Sequence, residues 1–130
     1  DMWESGDYYG GSENWFYPRA ATTDEMLPPE RMRPRLIRTS GNEVLAIQND
    51  GQRLTQNYRK FKNSRIVALA WNGFSLVEQW RTSSQRGYLA DFALEDADND
   101  GAVELVLAIK FKHKGLIDDA RSAIVIYELE

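Results

Sequence analysis

A dense block of acid sits between two apolar stretches in the last third of this chain, and few folds accommodate that arrangement. The block reads Asp96-Ala97-Asp98-Asn99-Asp100-Gly101-Ala102-Val103-Glu104 and runs straight into Leu105-Val106-Leu107-Ala108-Ile109. Three carboxylates at alternate positions, then a glycine and a fourth carboxylate, suit a loop wrapped around a hard cation. Oxygens on every second residue can converge on one centre, and Gly101 allows the sharp turn that aims them. Without a counter-charge the same groups repel one another.

The half-motif Asp-x-Asp-x-Asp-Gly is shared with the helix–loop–helix calcium site, which needs a bidentate Glu at its twelfth position and a helix on each side. Counted from Asp96, the twelfth residue is Leu107, and 103–111 is apolar and β-branched instead of helix-patterned. A loop between two strands is the reading left. Its expected ligands for Ca2+ are Asp96, Asp98, Asp100, the backbone carbonyl of Ala102, and Glu104. Asn99 takes the turn apex, where a short polar side chain tolerates unusual backbone angles.

Asp96-x-Asp98-x-Asp100-Gly101-x-x-Glu104-Leu105, set between apolar strands, resembles the calcium loop of FG-GAP/VCBS repeats, the blades of integrin-like β-propellers. The strand before it, Gly87-Tyr-Leu-Ala-Asp-Phe-Ala-Leu, shares in the resemblance. The resemblance implies that the loop joins the first two strands of a blade. One position departs from the pattern, since Glu104 stands where many copies have Asp. Its longer side chain is expected either to ligate the ion or to bond the loop's N–H groups.

At 130 residues the chain is one domain or part of one, and 42% hydrophobic content is enough for a core. A net charge of −4 does not favour a nucleic-acid partner. With no cysteine, disulfides and thiolate metal sites are excluded. No run reaches the roughly 18–20 apolar residues of a membrane span. A start at Asp1 suggests a processed chain or a piece of a longer one.

Residues 1–34 divide into an aromatic, glycine-rich stretch and a connection that holds all four prolines. The first reads as short edge strands; the second, 18–34, reads as surface connection. Strands are then expected at 35–38, 43–48, 57–61, 65–71, 74–81, 88–94, 104–111 and 123–129, with a polar loop at 49–56. Asn72-Gly73 is the strongest hairpin signal. Within 88–94, Tyr88, Ala90, Phe92 and Leu94 are expected on one face. The runs 66–70, 105–109 and 123–126 are continuously apolar, as strands covered on both faces are.

Glu43-Val-Leu-Ala-Ile is echoed by Glu104-Leu-Val-Leu-Ala-Ile, and Met2-Trp3-Glu4-Ser5 by Gln79-Trp80-Arg81-Thr82. The expected fold is all-β, with antiparallel four-stranded blades forming a partial β-propeller. Residues 1–5 would close one blade, 35–82 form a second, and 88–130 give three strands of a third. Propellers have about 4–8 blades, so 35–130 supplies about two, with open edges.

Other clusters carry less. Arg31, Arg33, Arg35 and Arg38, and Arg59, Lys60, Lys62 and Arg65, read as solvated faces, and His113 as a surface residue. Trp71, Trp80 and Tyr88 read as packing between blades, with a sugar-stacking groove as the alternative. Asp91 is expected either to bond a neighbouring strand or to support the ion site. No phosphate loop, Ser/His/Asp set or zinc spacing appears, and no catalytic constellation is visible. The expectation is a calcium-stabilised structural or interaction module, not an enzyme, in an extracellular, periplasmic or cell-surface setting. Its partner would be another protein or the rest of its own propeller. The alternatives are a carbohydrate-binding or polysaccharide-processing propeller, and a homo-oligomer formed through open blade edges.

Overall fold

The structure, a computed structural model, describes residues 3–18, 27–53, 59–111 and 121–129. Among these residues every regular element is a β-strand. In chain order they are β1 (Trp15–Phe16), β2 (Glu30–Arg31), β3 (Leu36–Arg38), β4 (Glu43–Arg53) and β5 (Arg59–Trp71). After these come β6 (Leu76–Arg81), β7 (Gln85–Arg86), β8 (Tyr88–Glu95), β9 (Glu104–Lys110) and β10 (Ser122–Glu128). The larger sheet runs β3-β4-β5-β6, with β7 also on β5; the smaller runs β10-β9-β8; β1 pairs with β2. All strand pairs are antiparallel. The all-β expectation is met.

The two sheets meet through one apolar layer. Leu45 and Ile47 on β4 lie opposite Ala68 and Ile66 on β5, so the four share a face. That face packs against Leu89, Phe92, Leu105, Leu107 and Ile109 of the smaller sheet. Each fully buried Leu or Ile there contributes about 1.5–3 kcal/mol. The far face of β4 and β5 is also covered, since Ala46, Val67 and Leu69 are buried. This explains the continuous apolar run at 66–70.

Several elements differ from expectation. The polar loop expected at 49–56 is strand as far as Arg53, and β5 runs unbroken from Arg59; residues 54–58 lie outside the described set. Polar residues here serve as ties between segments. Asn49 is buried; its Nδ2 donates to the Gly11 and Leu89 carbonyls, and its Oδ1 accepts from the Leu89 N–H, all at 3.0 Å. The ladder shifts register between Asp50 and Gly51. A Cβ on Gly51 would stand 2.1 Å from the Lys60 carbonyl oxygen, so only glycine fits there.

Another register shift, between Leu89 and Asp91, breaks the expected alternation of β8. Leu89 joins Phe92 in the core layer, while buried Tyr88 stacks on Phe61 at 5.8 Å. The Asn72-Gly73 hairpin is longer than a two-residue turn. Asn72 Oδ1 accepts from the Phe74 and Ser75 N–H groups, leaving Phe74 exposed and outside β6. Trp3–Ser5 form no strand, contrary to the echo of 79–82, and Met2 is outside the described residues. The N-terminal segment instead extends the edge of β4. Gly10 donates to the Ile47 carbonyl and accepts from the Asn49 N–H. Among the described residues of the 18–34 connection, β2 is a strand, and its Arg31 pairs with Trp15.

Candidate metal centre

β8 and β9 form a hairpin closed by the pair Glu95 and Glu104, and the loop 96–103 lies beyond that pair. The apolar strands fix where the loop starts and ends; the acids fix its shape. Asp96 Oδ1 accepts from the Asp100 N–H and Oδ2 from the Gly101 N–H, both at 3.1 Å. Asp98 Oδ1 also accepts from the Asp100 N–H, and Asp100 Oδ1 accepts from the Ala102 N–H at 2.7 Å. Asn99 and Gly101 hold positive φ of 64° and 95°, the backbone expected at an apex and at a sharp turn. The chain is thereby wound so that side-chain oxygens face inward.

One carboxylate oxygen from each of Asp96, Asp98, Asp100 and Glu104 lies within 4.8 Å of the others. The three aspartates are exposed, but Glu104 is fully buried. Its Oε2 accepts from the Ala97 N–H at 2.6 Å, tying strand to loop. Its Oε1 is buried and accepts nothing among the described residues. A buried acceptor left unsatisfied costs about 1–3 kcal/mol, and more when charged. The two expected roles of Glu104 are therefore compatible: one oxygen bonds the loop, and the other is free for a cation. Ala102, the fifth expected ligand, stands exposed in the last turn of the loop.

The ladder places two more carboxylates beside this centre. Glu95 on β8 and Glu128 on β10 both lie directly opposite Glu104, giving a row of three glutamates across the smaller sheet. The Glu128 carboxyl is pushed above its usual range by loss of hydration, and then by the charges of Glu104, Asp98 and Asp100. None of the described ion pairs reaches this row; they join Arg35 to Asp91, Arg65 to Asp50, and Arg81 to Glu78. Sequence reasoning missed both outer glutamates. Glu95 was legible as the residue that closes the hairpin, whereas Glu128 required the β9–β10 register.

Asp91 does not join the ion centre. It takes a two-point contact from Arg35, at 2.8 and 2.9 Å, ahead of β3. That pair lines a cavity of about 280 Å³ with Ser12, Asn14, Arg33 and Tyr88, where Asp91 is the one lining carboxylate among the described residues. The three aromatic residues singled out as a group go to separate places. Trp80 packs against the core layer and donates to Glu43 Oε2, Tyr88 is buried, and Trp71 is exposed. Of the arginines read as solvated, Arg31 bonds the Ser12 and Glu13 carbonyls, Arg38 bonds Asn42, and Arg65 bonds Gln48. His113 lies outside the described residues.

Among the described residues no helix is long and apolar enough to cross a membrane. Compared with known protein families, curated proteins and solved structures, the chain matches none of them.

Proposed function

We propose that this chain is a calcium-stabilised structural and interaction module, built as part of an FG-GAP/VCBS-type β-propeller. It would work in a calcium-rich extracellular, periplasmic or cell-surface setting. The observation that carries this reading is the buried, unpartnered Oε1 of Glu104 beside three aspartates. Calcium takes about 6–8 oxygens in flexible geometry, whereas magnesium demands a compact octahedron and keeps its waters. An exposed loop with four carboxylates, the Ala102 carbonyl and access to water fits the larger ion. The ion's role is to hold β8 and β9 in register at their shared end.

Two further features support the propeller reading. β3 to β6 form a four-stranded antiparallel meander in chain order, and β8 to β10 form a three-stranded one. The two stack through an apolar layer, as successive blades do. On the outer face of the smaller sheet, Ile124 and Ile126 are exposed beside Val106 and Ala108. That face suits the rest of a propeller, a protein partner or a second copy.

A thermal melt with and without about 1 mM calcium tests the ion. For a dissociation constant on the order of 10⁻⁴–10⁻³ M, calcium adds about 0.4–1.4 kcal/mol. The midpoint then rises by roughly 1–6 °C, and Asp98→Ala abolishes the rise. No rise in the unaltered protein removes calcium from the reading and leaves a β-rich interaction fragment.

A further inference from the structure

We infer that Glu95 and Glu128 belong to the cation site as the charges that set its affinity, and that cation binding is thereby linked to the pairing of β10 with β9. This inference rests on the calcium reading and adds its regulation. Opposed residues on neighbouring antiparallel strands hold their Cβ atoms about 4.5–5.5 Å apart, and like charges so placed repel. Glu104 has a glutamate on each side, Glu95 through β8 and Glu128 through β10. With Asp96, Asp98 and Asp100, six carboxylates crowd one end of the smaller sheet. Among the described residues no cation pairs with any of them.

The consequence differs for the two outer strands. β8 is tied to β9 through the loop and is packed on β4 and β5. β10 pairs along its backbone only with β9 among the described strands; Val125 and Tyr127 pack on the core layer and Tyr127 accepts from Gln85 of β7, while its outward residues are exposed. When the site lacks its ion, docking β10 brings Glu128 against uncompensated negative charge. When a divalent cation is bound, the same approach becomes attractive. Binding and docking favour each other by one and the same factor.

The test combines calorimetric calcium titration with amide hydrogen exchange on the unaltered protein and on Glu128→Gln. In the unaltered protein, calcium slows exchange in β10 about three- to tenfold. Glu128→Gln weakens calcium binding by a similar factor. It also slows β10 exchange in the absence of calcium and removes calcium's further effect. A merely structural role for Glu128 predicts the opposite, faster exchange in both conditions. Glu95→Gln weakens binding alike and leaves the calcium effect on β10 in place. Calcium binding that is unchanged in Glu128→Gln, with β10 exchange indifferent to the ion, overturns the inference and leaves the calcium reading intact. Failure of the unaltered protein to bind calcium overturns both.

Discussion

The turn into β4 and the loop into β9 occupy corresponding places in the two meanders, and they are stabilised by different means. Each leads into a strand that begins with a glutamate and continues with apolar residues. In the first, the Thr39 N–H donates to the Glu43 carbonyl while the Glu43 N–H donates to Thr39 Oγ1. Asn42 supplies the positive φ of 68°, and the Glu43 side chain accepts from the Trp80 indole. Across the ladder from Glu43 stands Ala70. Across from Glu104 stand two glutamates, and the loop before it is closed by carboxylates. One turn is satisfied from within the chain, by Thr39 and by the Arg38 guanidinium on Asn42. The other concentrates charge that the described residues do not balance. Two similar stretches thus each join antiparallel strands, but only the second gathers carboxylates that no described cation balances.

The comparison breaks most sharply if the shared core answers to calcium. Leu107 is buried between both sheets. Leu107→Ala is expected to cost about 2–5 kcal/mol, measured by urea unfolding, with the same loss in calcium and in chelator. A loss that shrinks in calcium would mean that the loop governs packing throughout.

Next in size is the pair of glutamates. Glu104→Gln should erase the calcium-dependent rise of roughly 1 kcal/mol, because the amide no longer presents two acceptor oxygens. Glu43→Gln should keep that rise in full, since its side chain meets an indole N–H and not an ion site. Thermal melts of both variants, with and without calcium, separate the two turns. Equal behaviour would sink the distinction between them.

An effect of comparable size tests the first turn itself. Thr39→Ala removes the side-chain acceptor for the Glu43 N–H and should cost about 0.5–1.5 kcal/mol, whether or not calcium is present. A cost that depended on calcium would show that the two turns are coupled through the core.

These contrasts also show which parts of the fold were legible in the sequence. β9 and β10 were read to within a residue or so, because unbroken apolar runs between turn residues leave little choice. The clustering of the loop acids was legible for a similar reason: Asp96, Asp98 and Asp100 are local, and Gly101 marks the bend. The continuation of β4 past Asn49 was not legible. A buried asparagine that bonds Gly11 and Leu89 gains its place from residues far away in the chain. The shift beside Ala90 was hidden likewise, since a bulge moves Leu89 inward without any mark in the local pattern. Glu128 is the plainest case. Nothing in its neighbours shows that it will face Glu104; only the register of β10 on β9 does so.

That register also sets the smallest expected effect. The Glu128 carboxyl lies above its ordinary value of 4.5, chiefly through loss of hydration and then through Glu104, Asp98 and Asp100. A carboxyl raised in the folded state binds protons more readily there than in the unfolded chain, so its contribution to stability grows as pH falls. At pH 7 in chelator, ionised Glu128 opposes folding and Glu128→Gln should melt slightly higher than the unaltered protein. The gap should close as pH falls through the raised value, because protonation gives the unaltered side chain the same neutrality as the amide. In calcium at pH 7 the order should narrow or reverse, since the ion now attracts what the bare site repels. Midpoints for the two proteins across that pH range, with and without calcium, decide it. A gap that widened on acidification would place Glu128 in a favourable contact instead. The row of three glutamates would then be a feature of the ladder and not of the ion site.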